Sequence, residues 1–382
     1  MIKKKITVTT GTRADYGLLR PVLKNILSSK KLDLSLIVTG MHLSKKYGLT
    51  INEIKKDGFT ISAIVDVIPK NDSVYDMTKV LGNSIVKFSK IFNILQPDIN
   101  VILGDRDEML ASALSAYHMN IPNAHIHGGE RSGGLDEYTR HAITKISNIH
   151  FAPTQESKKR ILKMGENPKF VFFTGSTSID EIKNKKITNK KILEDKYGFK
   201  FTGEEILFIQ HPVTTQIKHA REQIQNILKV LHKVNKPTIA IAPNSDSGNA
   251  EFFKHLKSFS KEHPSFKMFK SLPRSDYLGM INNCKILVGN SSSGIIEASY
   301  FKIPVVNIGT RQKNREKSKN VINVVDNNPN LIYNVIQKSL KINKRYLSTM
   351  NVYGNGNASK KIIKYLENVK ITSDLIEKQI SY

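Results

Sequence analysis

At 382 residues the chain has room for two domains of ordinary size, each able to bury its own core. It carries 59 Lys and Arg against 33 Asp and Glu, a formal charge of +26. The lysines are spread over helix faces and loops without a nucleic-acid-binding motif, so the excess reads as solvated surface with a general pull on anions, and no nucleic-acid partner is expected. The single cysteine, Cys284, excludes a disulfide framework and a cysteine zinc cluster. No run approaches the ~18 apolar residues of a membrane span, and the apolar run after "MIKKK" is too short for a signal peptide. A cytoplasmic chain with no membrane association is the expectation.

The first predicted element is the alternating run "KKITVTT", a buried strand, followed by "GTRADYG" at residues 11 to 17. This is built like the first strand-to-helix turn of a nucleotide-binding sheet. Its glycine spacing does not fit the dinucleotide fingerprint, however, and no P-loop lysine follows. An anion is therefore held in another way. Arg13 offers a permanently charged fork, and Asp15 is expected to hold it in place. "LDLSLIVTG" is the next strand, leading into "GMHLS" with His42. "NVILGD" ends in "GDRDE", which puts Asp105 and Arg106 on the strand-end rim, with Asp105 alternatively a cap for the helix that follows.

"PNAHIHGG" opens into "HIHGGERSGGLDEYTRHAI", which offers His125, His127, Glu130, Asp136 and Glu137 around Gly128, Gly129, Gly133 and Gly134. His125 and His127 alternate on a strand, so one of them is expected to face the core. Asp136 reads alternatively as the N-cap of the helix carrying Arg140 and His141. The histidine and carboxylate spacing is not that of a metal site, and neither metal nor cofactor is expected. "KFVFFTG" closes this half, and the lysine-rich stretch 181 to 197 is the linker candidate.

The second half repeats the alternation with "EILFIQH", "KPTIAIAP", "FKMF", "KILVGN" and "PVVNIG". His211 ends its first strand. In "KILVGNSSSGIIEASY" a strand runs into a helix start where Ser291, Ser292, Ser293 and Gly294 expose backbone N–H groups, an arrangement suited to a diphosphate; the plainer alternative is an N-cap. Glu297 is a candidate acceptor for ribose hydroxyls, and Arg311 in "GTRQ" adds charge. A helical region follows "YGNGNAS". Strands alternating with helices indicate an α/β chain of parallel βαβ units, read here as two Rossmann-like domains, 1–178 and 179–382, facing a cleft.

The blocks "GTRADYG", "GMHLS", "LGDRDE", "HIHGGERSGGLDEYTRHAI", "QHPVTT", "GNSSSGIIEA" and "GTRQ", in that order over nearly the whole chain, resemble the hydrolysing UDP-N-acetylglucosamine 2-epimerases of bacterial sialic acid synthesis. The non-hydrolysing branch opens with "GTRPE" and carries "EAGLR", which fits less well. The resemblance implies a glycosyltransferase-B-like fold with the nucleotide held mostly by the second domain and the sugar between the two. It also implies elimination of UDP to a glycal, then hydration to N-acetylmannosamine.

By that resemblance and their strand-end positions, Asp105, Glu130 and Asp136 are candidates for the proton traffic, with His211 from the second domain. Arg13, Asp15, His42, Arg106, Ser291, Ser292, Gly294, Glu297 and Arg311 are candidates for binding substrate. Relatives often read "HIEGGE" where this chain has His127, so that position is left out of the catalytic set. Sister substrates remain open: a UDP-linked 2,4-diacetamido-trideoxyhexose or GDP-GlcNAc on the legionaminic acid route. A glycosyltransferase on the same fold is the more distant alternative. The family implies a homodimer or homotetramer.

Overall fold

The computed structural model describes residues 3–45, 48–68, 74–132, 135–184, 187–243, 249–347 and 351–381. Two compact units emerge: one gathers Met1–Arg131, Leu135–Glu181 and Tyr353–Tyr382, and the other is built on Ile182–Val352. In the first unit the order is β1 Lys4–Thr10, α1 Arg13–Ser28, β2 Leu32–Thr39, α2 Ile51–Lys56, β3 Ile61–Val65, α3 Val74–Leu95 and β4 Ile99–Leu103. It continues with α4 Asp107–His118, β5 Asn123–Ile126, α5 Leu135–Lys145, β6 Ile149–Ala152, α6 Gln155–Lys163, β7 Val171–Phe173 and α7 Thr177–Lys183.

The second unit runs α8 Lys190–Tyr197, β8 Ile206–Ile209, α9 Ala220–Val234, β9 Thr238–Ile241, α10 Asn249–Glu262, β10 Phe266–Phe269 and α11 Arg274–Asn283. It is completed by β11 Ile286–Gly289, α12 Ser292–Ile296, β12 Val305–Ile308, β13 Val321–Val324 and α13 Pro329–Leu340, after which α14 Ala358–Asn368 and α15 Ser373–Ile376 belong to the first unit again.

Each unit is a parallel sheet, ordered β3-β2-β1-β4-β5-β6-β7 in the first and β10-β9-β8-β11-β12-β13 in the second. Both orders reverse direction once, beside β1 and β4 and beside β8 and β11. Ligands of such sheets collect at the carboxyl ends of the strands that flank this switch. Helices cover both faces, so β4, β5 and β6 are buried at every position, the polar Asn100, Asn123, His125 and His150 included, and show no alternation of buried and exposed positions.

In the first unit Ile6 and Val8 of β1 pack with Leu19, Leu23 and Ile26 of α1 and with Ile362 and Leu366 of α14. On a separate cluster, Ile37 meets Phe88 and Phe92 of α3 and Ala111 and Ala116 of α4. In the second unit Ile206, Phe208 and Val288 pack against Ile224, Ile227 and Leu231 of α9 and Ile332 and Ile336 of α13.

The fold departs from the sequence reading in three places. Strands β3, β6 and β13 were not expected. The lysine-rich stretch 181–197 is largely helical: α7 extends to Lys183 and α8 starts at Lys190, where Asn189 caps it by accepting from the Ile192 N–H at 2.9 Å. And residues 353–381 lie with the first unit, whereas the expected division at 178 placed them in the second.

The return is anchored by Asp180 of α7. Its buried carboxylate accepts the N–H of Ala358 at 2.9 Å and of Ser359 at 2.7 Å, and takes the Ser359 hydroxyl as well. These are the orphan donors at the start of α14, whose own N-cap residue, Asn357, makes no side-chain cap. Asp180→Ala is expected to cost about 1–3 kcal/mol, read as a lower urea midpoint. An unchanged midpoint would show that α14 docks on its apolar face alone.

Candidate functional site

The rim of the first sheet is assembled by the turns after β1, β4 and β5. After β1, Thr12 caps α1 by accepting from the Asp15 N–H, and the Asp15 carboxylate returns the favour to the Thr12 N–H at 2.8 Å. Asp15 also accepts from the Gly11 N–H at 3.2 Å and from the Thr10 and Thr12 hydroxyls. Arg13 lies elsewhere: its Nε is 3.2 Å from Glu53 Oε1, with both side chains half exposed. Asp15 therefore does not hold Arg13, because all its reach is spent on the turn itself.

His42 is also set beneath the rim. It is wholly buried, with Nε2 3.0 Å from Thr10 Oγ1, Nδ1 2.7 Å from Thr50 Oγ1, and Tyr16 edge-on at 6.1 Å. Burial pushes its pKa down to about 4. His42 and Asp15 thus brace Thr10 and the α1 cap from behind.

After β4, Asp105 forms an ion pair with Nη2 of Arg140. It does not cap α4: the N-cap position is Arg106, which makes no side-chain cap. Arg106 instead lays its guanidinium on Glu108, Nε to Oε2 at 3.1 Å. Glu108 reaches back over the β1 turn, and Gly40 makes this possible. A Cβ there would sit 2.5 Å from Glu108 Oε1 and 3.0 Å from the Gly11 carbonyl, and its φ of +58° suits glycine.

Both histidines here are buried, His125 as part of β5 and His127 just beyond its end. His125 is buried with Nε2 2.8 Å from the Gly104 carbonyl and Nδ1 3.2 Å from Thr144 Oγ1, and burial pushes its pKa down to about 3. The neutral ring ties β5 to the turn that presents Asp105. His127 takes a left-handed backbone, φ +65°, and its Nδ1 lies 3.8 Å from Oε2 of the buried Glu130. Gly129 follows, also left-handed, where a Cβ would come within 2.5 Å of the Ser157 carbonyl. The loop glycines Gly133 and Gly134 lie outside the described residues.

Helix α5 completes this rim. It starts at Leu135, so Asp136 stands exposed in its first turn rather than at the N-cap, and it lies close enough to Asp107 to raise that carboxyl's pKa, behind the larger effect of burial and that of Glu108. Arg140, 2% exposed, joins the pieces: besides Asp105 it donates from Nη1 to the Glu130 carbonyl at 3.1 Å, and Glu137 Oε2 lies 3.9 Å away. The place of Arg140 on this helix is legible in the sequence, and its partners are not.

In the second unit the hub is an amide. The buried Asn290, directly after β11, accepts from the His211 N–H at 2.7 Å and donates to the His211 carbonyl at 2.8 Å. Its own carbonyl takes Nη1 of Arg311 at 3.3 Å and Nε2 of Gln312 at 3.2 Å. Asn290 thereby gathers His211, the serine turn and Arg311 around one residue. Ser291 occupies the N-cap position of α12 but makes no side-chain cap; its hydroxyl lies 3.0 Å from that of Ser293, which also meets the Tyr277 hydroxyl. Ser292 and Gly294 are in the same five-residue helix. Glu297 is buried and gripped by the fork of Arg274, Nη1 to Oε2 at 3.1 Å, a partner the sequence reading did not anticipate.

Two doubly wound sheets, with charged and small polar residues at the switch-point ends of their strands, define an α/β chain of the glycosyltransferase-B-like kind. The chain belongs to the UDP-N-acetylglucosamine 2-epimerase family, whose model it matches over residues 24–367. It is 40% identical over 381 residues to a UDP-N,N'-diacetylbacillosamine 2-epimerase (hydrolyzing) of Legionella pneumophila, covering 99% of this chain and 100% of the relative. A UDP-N-acetylglucosamine 2-epimerase of Neisseria meningitidis serogroup B is 33% identical, with 89% of each chain covered. Among solved structures, a UDP-GlcNAc 2-epimerase from Neisseria meningitidis bound to UDP-GlcNAc has a TM-score of 0.80 at 20% identity, covering 95% of this chain and 99% of that one. Among the described residues no helix is long and apolar enough to cross a membrane.

Asp15 gives this rim a measurable signature. Burial pushes its pKa up from 3.8 to about 6, against the pull of the Thr10 and Thr12 hydrogen bonds and with a smaller push from Glu108. Between those values the folded chain keeps a proton that the unfolded chain has released, so this group's contribution to stability falls as pH rises through that window. The difference in unfolding free energy between wild type and Asp15→Asn is expected to shift against wild type from pH 4 to about 6 and to level off above. A difference that does not vary with pH would contradict this.

Proposed function

We propose that the chain is a hydrolysing 2-epimerase of nucleoside-diphosphate-linked 2-acetamido sugars. A UDP-linked 2,4-diacetamido-trideoxyhexose is the favoured substrate and UDP-N-acetylglucosamine the second reading. The observation that carries the reaction is Arg140, which fixes Asp105 and the main chain of Glu130 on one rim and belongs to the helix that presents Asp136. The diacetamido sugar is favoured by the likeness to the Legionella protein, 40% over the full length of both chains against 33% over 89% for the Neisseria relative.

The chemistry needs a base, an acid and a sink for charge. A carboxylate removes the C2 proton, the electron pair forms the C1–C2 double bond, and the C1–O bond breaks with its electrons leaving on UDP. Water then adds across the glycal: hydroxide to C1, and a proton to C2 from the opposite face. The sugar is released as the free 2-epimer, and no oxidation state changes overall. Asp105, Glu130 and Asp136 are the groups for this proton traffic, suited to it when their surroundings separate their pKa values.

In the second unit the serine turn with Ser291, Ser292 and Gly294, together with Arg311 and His211, is assigned to the diphosphate, and Glu297 in the grip of Arg274 to the ribose. Arg13 and Arg106, half exposed on the first unit's rim, supply charge as the leaving group develops it. The route this serves is the synthesis of a nine-carbon acidic sugar of the sialic or legionaminic type, in the cytoplasm.

Turnover in D₂O is expected to place deuterium at C2 of a free sugar, with one UDP released per sugar and ¹⁸O from water found in the sugar. A 2-epimer still attached to UDP, or a sugar without solvent deuterium, would overturn the mechanism. Asp105→Asn and Glu130→Gln should each lower kcat by ~100-fold or more while UDP affinity, measured by calorimetry, is retained. Near-normal turnover would reduce both to scaffold residues. The same UDP-release assay run on the diacetamido sugar and on UDP-GlcNAc ranks the two substrates.

A homodimer, or a tetramer built from it, belongs to the same proposal. Tyr75, Val86 and Ile94 of α3 are exposed apolar side chains that a second copy would cover. Light scattering at micromolar concentration is expected to give twice or four times the chain mass; a monomer would remove the assembly from the proposal.

A further inference from the structure

The helix that carries Asp136 and Arg140 is fastened at its other end by residues from the far end of the numbering. Lys378 Nζ donates to the carbonyls of Lys145 and Ser147, the latter at 2.8 Å, and so caps the C-terminus of α5, where a cation also suits the helix dipole. The same ammonium lies 2.8 Å from Oε2 of Glu166, which is 1% exposed. Glu166 takes Lys145 Nζ at 2.9 Å on Oε1, and His150 Nε2 lies 3.0 Å from the Oε2 that Lys378 shares. Burial alone pushes its pKa up, but these hydrogen bonds outweigh that and hold it down at about 2.

Three further contacts run along this segment. Asn148 Nδ2 donates to the Leu375 carbonyl at 2.7 Å, Leu375 itself is buried in the first unit's core, and the Ser381 N–H donates to the Gly165 carbonyl at 2.9 Å. The whole strap, 373–381, lies within the first unit with α5.

We infer that this strap sets the position of α5, and that Lys378 is a positioning residue for the reaction. It acts through α5 on Arg140, and through Arg140 on Asp105 and the main chain of Glu130. The 11 residues of α5 span about 16 Å as a rigid rod, so movement at Lys145 is transmitted to the first turn. A shift of about 1 Å in reacting groups is enough to cost up to ~100-fold in rate. The inference rests on the proposed role of those carboxylates, so its test needs a readout independent of turnover.

Lys378→Met is expected to lower kcat by roughly tenfold to 100-fold with KM for the nucleotide sugar little changed. It should also speed hydrogen exchange of the α5 amides in the otherwise folded protein. Lys378→Arg should restore much of both. Asn148→Asp supplies a second lesion that leaves every residue of the ion cluster in place: it keeps the acceptor for the Asn123 N–H, 3.1 Å away, but cannot donate to Leu375. It should shift kcat and α5 exchange in the same direction. Lys169→Ala, which removes a 4.0 Å surface pair with Asp374 and a cation lying 5.3 Å from the Phe170 ring centre, should leave both unchanged.

A lower melting temperature with kcat and α5 exchange unaltered in both strap variants would overturn the inference and leave the strap purely structural. If wild-type protein releases no UDP at all, the epimerase reading fails. Faster α5 exchange in the strap variants would then still confirm the fastening, and unchanged exchange would refute it.

Discussion

A guanidinium cannot discharge itself by losing a proton, so a buried one dictates what surrounds it. Arg140 is 2% exposed, and its two terminal nitrogens are engaged by the Asp105 carboxylate and the Glu130 carbonyl, with Glu137 nearby. Removing Asp105, itself 21% exposed, would leave the buried guanidinium short of its counter-ion, a larger loss than the ~1 kcal/mol of an ordinary hydrogen bond. The turns after β4 and β5 are therefore fixed by charge before any ligand arrives. The neutral His125, bonded to the Gly104 carbonyl, and the left-handed pair His127 and Gly129 are the backbone consequences of holding those turns together.

The second unit solves the same problem with a neutral group. Asn290 orders His211, the serine turn and Arg311 through donors and acceptors that sum to no charge. An aspartate in its place would accept the His211 N–H equally well, yet would lose the donor to the His211 carbonyl and set an anion beside the proposed diphosphate. The carboxylates of this unit are kept in check in a different way: Glu297 is matched by Arg274.

Much of this architecture was legible because buried parallel strands are short apolar runs that end in small or polar residues. The strands missed show where that signal fails. β3 and β13 are sheet edges with half-exposed positions. For the site, residues next to a strand end were found, whereas Glu108 was passed over within the very block that named Asp105. Arg140, Asn290 and Arg274 take their meaning from partners 35, 79 and 23 positions away, a distance that local patterning does not encode. Asp15 and His42 stand at strand ends yet are buried beneath the turn, since a strand-end position says nothing about which side of the turn a side chain takes.

The interrupted path of the first unit also governs how the chain matures. Its core includes Ile362, Ile363, Leu366 and Leu375, which follow the whole of the second unit in synthesis. On a ribosome the second unit is complete while the first still shows water the apolar surface that α14 will cover. Domains fold as units as they emerge, and exposed apolar surface is what aggregates or recruits holding chaperones. The carboxylate of Asp180, already in place on α7, then meets the incoming N-terminus of α14 as a waiting receptor. The first domain begun is thus the last one finished, and its native state is a product of chain closure rather than of local folding.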